Sequence, residues 1–211
     1  MSKHILFDLG GVIEKIYPSR VVKSFDGLGM DKPENLFTIY GQSEICNKFE
    51  TGSIEEKEFI ESVRGVFNID ASDDEIIAAW NSNQGGVSSE TFNTLVDLKK
   101  NDFSLSVLSN TNPTHFKLIQ NQFFRNHGVH MNYMFDNIIL SYEVGLRKPE
   151  GEIFSLAKET IADKDDKILF IDDLKDNCVS AEACNMSVMP HVTNEELIAD
   201  KVIQHAHAVS F

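Results

Sequence analysis

Positive charge is scarce in this chain: 19 lysines and arginines face 33 aspartates and glutamates in 211 residues, a formal net charge of −14. A surface of that sign repels nucleic acid and anionic lipid, so neither is expected as a partner. An anionic substrate would need a local device, a metal ion or a lysine, to reverse the field where it binds. Cysteine is scarce as well. Cys46, Cys178 and Cys184 are odd in number and form no C-x-x-C pair. That argues against a disulfide scaffold and predicts free thiols in a reducing cytoplasm. No apolar run approaches the length of a membrane span. The opening residues hold one lysine and a short apolar segment broken by Asp8, which does not read as a secretory leader. Repeats and low-complexity tracts are missing too. The composition that remains, 42% hydrophobic and 25% charged, suits a globular protein with one substantial core, or a core plus a small inserted unit. A monomer or homodimer is expected.

Five short apolar runs read as buried strands: His4 to Phe7, Ser104 to Leu108, Asn137 to Leu140, Lys167 to Ile171 and Met186 to Met189. After the first, helix-like segments separate them: Thr114 to Arg125, Glu150 to Ala162 and Asp176 to Cys184, with Asn194 to His205 following the last strand. Alternation of this kind predicts an α/β fold, a Rossmann-like parallel sheet covered on both faces. The first strand breaks the rhythm. Residues 15–85 read as a small helical insertion, which leaves 1–14 and 86–211 for the α/β core. Within the insertion the patterns predict helices over Asp31 to Phe49, over Ile54 to Val66 behind a Ser53–Glu56 capping box, and over Ser72 to Asn81. Ser88 to Lys100 returns the chain to the sheet. Phe37, Tyr40, Phe49 and Trp80 are assigned to the core of the insertion, with a sugar-facing role as the alternative.

Ligands of an open parallel sheet bind beyond the carboxyl ends of its strands. The first strand runs into Asp8-Leu9-Gly10-Gly11, the second into Ser109-Asn110-Thr111, the third toward Arg147-Lys148-Pro149, the fourth into Asp172-Asp173. Adjacent aspartates repel when both are ionised and buried, and a divalent cation with a taste for oxygen removes that repulsion. The simpler role for one of the pair is to cap the following helix. In the field of such a cation Asp8 is ionised, and is either a ligand or a nucleophile that attacks phosphorus. Ser109 and Asn110 offer hydrogen bonds to phosphoryl oxygens, and Lys148 offers charge compensation.

The set F-D-L-G-G-V (7–12), L-S-N-T (108–111), R-K-P-E (147–150) and F-I-D-D-x-x-x-N (170–177) resembles the four motifs of the haloacid dehalogenase (HAD) superfamily, in order and in spacing. The D-L-G-x-V opening and the S-N-T-N run are most similar to its bacterial α-D-glucose-1-phosphatase subgroup. The resemblance implies a helical cap of the first class for the insertion and a Mg²⁺-dependent phosphatase of small phosphorylated metabolites, sugar phosphates first among them. It implies Asp8 as nucleophile and metal ligand, and Gly10 as a ligand through its carbonyl. Ser109, Asn110 and Lys148 would be phosphate-binding groups, Asp172 and Asp173 metal ligands, and Asn177 a support of the metal shell.

One position departs from the family pattern. Most phosphatases of the superfamily carry a second aspartate two residues after the nucleophile, and this chain has Gly10. Three outcomes follow: preference for good leaving groups, a replacement acid (Glu14, or Glu44 or Glu50 of the insertion, or a histidine), or a site that only binds. A 2-haloacid dehalogenase also lacks that second aspartate, but needs no metal and so gives no use to the Asp172-Asp173 pair. A signalling receiver domain orders its acidic pair and its acceptor the other way round. His127 and His130 sit in a glycine-broken loop without acidic or thiol neighbours and are expected to face solvent, and His205 to lie in a frayed helix end.

Overall fold

The computed structural model describes residues 3–38, 41–42, 44–161 and 167–209. Five strands, β1 (Lys3–Phe7), β4 (Phe103–Ser109), β5 (Asn137–Leu140), β6 (Lys167–Asp172) and β7 (Ser187–Pro190), form one sheet in the order β5-β4-β1-β6-β7. Every pairing is parallel. β1 lies in the middle, and its Ile5, Leu6 and Phe7 are all 0% exposed. A strand buried on both faces is an uninterrupted apolar run, each such side chain contributing about 1.5–3 kcal/mol of transfer free energy.

Alternation along the strands sorts the core into two layers. Ile5, Phe7, Leu105, Val107, Leu169 and Ile171 point to one face and pack with α5 (Ser89–Lys100), α6 (Pro113–His127) and α11 (Ala199–Ala208). Leu6, Leu108, Ile168 and Phe170 point to the other and pack with α9 (Gly151–Ile161) and α10 (Lys175–Ala183). A third cluster, Val21, Phe25, Leu36, Phe49, Phe59, Val63, Ile76 and Trp80 among its members, is built wholly from the segment between β1 and α5. Its helices are α1 (Pro18–Gly27), α2 (Glu44–Glu50), α3 (Glu56–Phe67) and α4 (Asp73–Asn81). The segment leaves and rejoins the sheet through two strands laid side by side: Lys15 N–H donates to Gly86 O at 3.0 Å, Gly85 N–H to Lys15 O at 2.7 Å, and Tyr17 N–H to Asn83 O at 2.8 Å.

Several local expectations need correction. Asp31 to Phe49 is not one helix. It is a 3₁₀ turn (Pro33–Leu36), a short antiparallel ribbon of β2 (Phe37–Thr38) and β3 (Gly41–Gln42), and then α2. Tyr40 and the side chain of Phe37 lie outside the described residues. Ser53 caps nothing. Its N–H closes α2 on Lys48 O at 2.8 Å, and the cap position of α3 falls on Glu55, without a side-chain bond. The true capping box is Ser72 with Glu75. Helix α1 was not expected, because only Val21 and Phe25 of its ten residues are buried, too few to show a period. The last helix begins at Ala199, not Asn194, since Asn194 takes a left-handed conformation (φ 65°). His127 is not solvent-facing. It bonds Val87 O at 3.1 Å and stacks on Phe92 at 4.3 Å. His205 is held inside α11 by Val188 O at 3.0 Å. Among the described residues no helix is long and apolar enough to cross a membrane, and all three cysteines are free.

Candidate active site

Parallel pairing brings the carboxyl ends of β1, β4, β5 and β6 to one edge, so the four polar strand ends converge. At their centre is Lys148, 2% exposed. Its ammonium lies 2.8 Å from Asp8 Oδ1 and 2.7 Å from Asp172 Oδ2. Asp8 also accepts the Leu9 N–H at 2.7 Å. Asp172 is fully buried and held on both oxygens: Leu174 N–H donates to Oδ1 at 2.8 Å, and the Asn177 amide reaches both oxygens at 3.0 Å. Asp172 thus receives an N–H at the start of α10, as a capping residue would, while also facing Lys148. Asn177 acts on the acidic cluster through Asp172.

Asp173 completes the cluster. One carboxylate oxygen from each of Asp8, Asp172 and Asp173 falls within 4.8 Å of the others. Thr193 Oγ1 fixes Asp173 by donating to Oδ2 at 2.7 Å. Gly11 makes the approach possible: its φ is 86°, and a Cβ there would stand 2.5 Å from Asp173 Oδ2. Three carboxylates share one ammonium, which leaves surplus negative charge in a desolvated place. Burial pushes the Asp8 carboxyl up to about 7, Lys148 opposing and Asp172 and Asp173 reinforcing. Burial also raises Asp173, against its bond from Thr193. For Lys148, burial acts downward, but attraction to Asp8 and Asp172 outweighs it and the pKa is raised. Hard oxygen donors with uncompensated charge at this spacing fit a divalent cation such as Mg²⁺.

The structure gives the Asn110 side chain a different task from the expected one. Its amide donates to Lys148 O and its oxygen accepts from Lys148 N–H, both at 2.8 Å, so it grips the loop that carries the lysine. Ser109, 2% exposed, ends β4 at the wall of the cavity. Beside it Ser141 receives Thr111 N–H at 3.0 Å and donates to Glu50 O at 2.6 Å, joining α2 to the sheet edge.

Above the cluster is a cavity of about 230 Å³, lined by Asp8, Gly10, Ser109, Lys148 and Asp173 below and by Ile16, Glu50, Trp80 and Gln84 above. That is smaller than the ~300–1,000 Å³ usual for drug-sized ligands, so the space suits a small molecule. Trp80 belongs both to the core of the helical insertion and to the cavity wall. It stacks on His115, with centroids 4.9 Å apart and an interplanar angle of 12°. Asn112, the N-cap of α6, accepts its indole N–H at 3.4 Å. His115 is bonded to Asn112 at 3.2 Å and to Trp80 O at 3.1 Å, and burial holds its pKa down near 4, against that bond to the Trp80 carbonyl. Arg147 joins Glu50 at 3.5 Å and Asn47 Oδ1. Glu14, 3% exposed, also lines the cavity, and burial raises its carboxyl to about 8, against the Gly86 N–H. Glu44 is paired with Lys48 on the surface at 2.7 Å. Thr193 and Asn194 carried no signal in the sequence, whereas Asn112 before Pro113 is a readable helix start.

Known proteins resemble this chain in sequence and in fold. A family model described as haloacid dehalogenase-like hydrolase matches residues 2–185. The D-ribitol-5-phosphate phosphatase of Bacteroides thetaiotaomicron is 29% identical over 177 residues, 84% of this chain and 85% of its own length. A HAD-family enzyme of the same organism, solved with magnesium and inorganic phosphate, superposes with a TM-score of 0.84 at 30% identity over 93% of this chain and 97% of its own. A HAD-like family hydrolase of Porphyromonas gingivalis superposes with a TM-score of 0.86 at 25% identity, covering 97% and 98%.

Proposed function

The chain belongs to the haloacid dehalogenase-like hydrolases, and on that footing we propose that it is a Mg²⁺-dependent phosphatase of a small phosphorylated metabolite, with a sugar phosphate as the substrate class. The observation that carries this reading is the Lys148 ammonium, bonded at once to Asp8 and Asp172 on the floor of a small cavity. Asp8 is the nucleophile. Its free oxygen attacks phosphorus, the ester oxygen leaves with the bonding pair, and an aspartyl-phosphate forms that water then hydrolyses. Lys148 compensates the charge on the phosphoryl oxygens. The Ser109 hydroxyl and the Asn110 N–H orient them, since the Asn110 side chain is engaged with Lys148.

Asp8, the Gly10 carbonyl and Asp173 would hold the magnesium ion. Asp172, committed to Lys148, Leu174 and Asn177, closes the acidic cluster behind them. When bound, the ion supplies positive charge that draws the phosphoryl group to the nucleophile. Residues 15–85 form the cap over this site, and 1–14 with 86–211 the core. The acid surface and free thiols favour a cytoplasmic enzyme, monomeric or homodimeric, that acts on metabolites and not on nucleic acid or membrane. The test is a screen of sugar and polyol phosphates with and without magnesium, beside Asp8→Asn. Activity that requires the metal and vanishes in the variant supports the reading. Activity that persists in Asp8→Asn rejects it.

A further inference from the structure

A departing alkoxide needs a proton, and help from a positioned acid is worth about 10²–10⁴-fold. Of the acids that line this cavity beside the aspartate cluster, two are engaged elsewhere, and the third, Glu14, is kept protonated by burial but already receives a neighbouring amide. Glu50 is paired with Arg147 at 3.5 Å. His115 is neutral, with both nitrogens bonded. Glu14 sits in the paired strands at the base of the cap, where the Gln84 amide, turned to donate, reaches its oxygens at 2.5 and 2.8 Å. The position nearest the nucleophile, two residues on, is Gly10. It has no side chain, and one added there would press on a neighbour. A Cβ there would stand 3.3 Å from Ile16 Cγ2 and 3.8 Å from Ile16 Cδ1.

Ile16 has little freedom to give way. Its N–H donates to Asn194 Oδ1 and its carbonyl accepts from Asn194 Nδ2, both at 2.8 Å. Asn194 is itself tied to the same loop, its N–H donating to Gly11 O at 2.8 Å. Ile16 also pairs with Gln84 across the two strands. With its backbone bonded on both sides and a β-branched side chain stiff at χ1, Cγ2 stays over Gly10.

We propose that Ile16, held in place by Asn194, occupies the space a proton-donating side chain at position 10 would need, and so restricts the enzyme to phosphate esters whose leaving oxygen is weakly basic. Ile16 is the specificity-determining residue and Asn194 the positioning residue. The inference rests on the phosphatase reading, and its test has one arm that does not.

In the first arm, kcat/KM is measured over aryl and alkyl phosphates of graded leaving-group pKa. The wild type falls steeply as that pKa rises. Gly10→Asp alone stays steep. Gly10→Asp with Ile16→Ala flattens the response and gains about 10²-fold or more on alkyl phosphates. In the second arm, thermal stability is followed through the cycle of Gly10→Ala and Ile16→Ala. Gly10→Ala lowers Tm in the native background and does so less when Ile16 is alanine, a coupling that neighbours in contact show. Ile16→Ala with Asn194→Ala adds no further relief. The proposal is overturned if Gly10→Asp alone flattens the response, if the two stability effects simply add, or if a flat wild-type response turns steep in Glu14→Gln. A wild type without metal-dependent activity defeats the phosphatase reading, and the stability cycle still decides whether Ile16 holds that space.

Discussion

Both polar atoms of the Asn110 side chain are bonded to the main chain of Lys148, Nδ2 to its carbonyl and Oδ1 to its N–H, each at 2.8 Å. The end of β4 therefore sets where the charge-compensating lysine stands, although the two residues are 38 positions apart. Asn110→Ala removes both bonds. At about 1 kcal/mol for each, stability falls by roughly 2 kcal/mol. A lysine displaced by an ångström or so is expected to cost about 10²-fold in kcat. Denaturant titration and steady-state kinetics on the purified variant check both. A variant with wild-type kcat would show that the clasp is structural only.

Lys148 stabilises two buried carboxylates, so Lys148→Met strands them. Removing one partner of a buried ion pair costs about 3–5 kcal/mol. Asp8, already pushed up by burial, then binds its proton more tightly still. A folded state that holds more protons than the unfolded one gains stability as pH falls. The variant is therefore expected to be inactive, destabilised at pH 8 and partly recovered at pH 5. Magnesium gives the same recovery at pH 8, by binding the folded state alone. Melting curves at two pH values, with and without the metal, test this. A variant as stable as the wild type at pH 8 would show that the carboxylates find other compensation.

Trp80 is the only tryptophan, and it reports on the contact between cap and core. Its ring lies on His115 and its N–H on Asn112, which also caps α6 by accepting His115 N–H at 3.1 Å. Asn112→Ala loses the cap and the indole contact together, an expected cost of about 2 kcal/mol. Tryptophan emission should move to the red as the ring meets water. Unchanged emission in a destabilised variant would mean that α6 frays while the cap stays docked.

The sheet was readable in the sequence because parallel strands buried on both faces become runs such as Ile5-Leu6-Phe7 and Ile168-Leu169-Phe170-Ile171, which resemble little else. The reactive cluster was readable for a related reason. Parallel strands share an edge, so Asp8, Ser109, Lys148 and the Asp172-Asp173 pair had to meet there. The insertion was harder to read. Helix α1 rests on two buried residues, and Ser53-Ile54-Glu55-Glu56 satisfies the capping-box pattern while its serine closes the helix before. Contacts of Asn194 with Ile16, 178 positions away, leave no local trace at either end. Nor does the pairing of Arg147 with Glu50, since any exposed-looking Arg or Glu reads alike until the fold brings the two together.

Glu14 makes a prediction about pH whose sign is opposite to that of an ordinary surface carboxylate. Burial raises its pKa from 4.5 to about 8. Between those values the folded protein keeps a proton that the unfolded chain has lost. Stability from this group is therefore complete at low pH and is lost as pH rises toward 8. At about 1.4 kcal/mol per pKa unit the full loss is roughly 5 kcal/mol. Glu14→Gln has the same shape and cannot ionise, so its stability should hold where that of the wild type declines, and above pH 8 the variant should be the more stable protein. Asp8 contributes a slope of the same sign, so the comparison is made with magnesium at saturation, where Asp8 stays ionised. Urea midpoints at intervals from pH 5 to pH 9 give the difference directly. Parallel curves for wild type and variant would mean that Glu14 is ionised in the folded protein, with Gly86 and Gln84 sufficient to hold the charge.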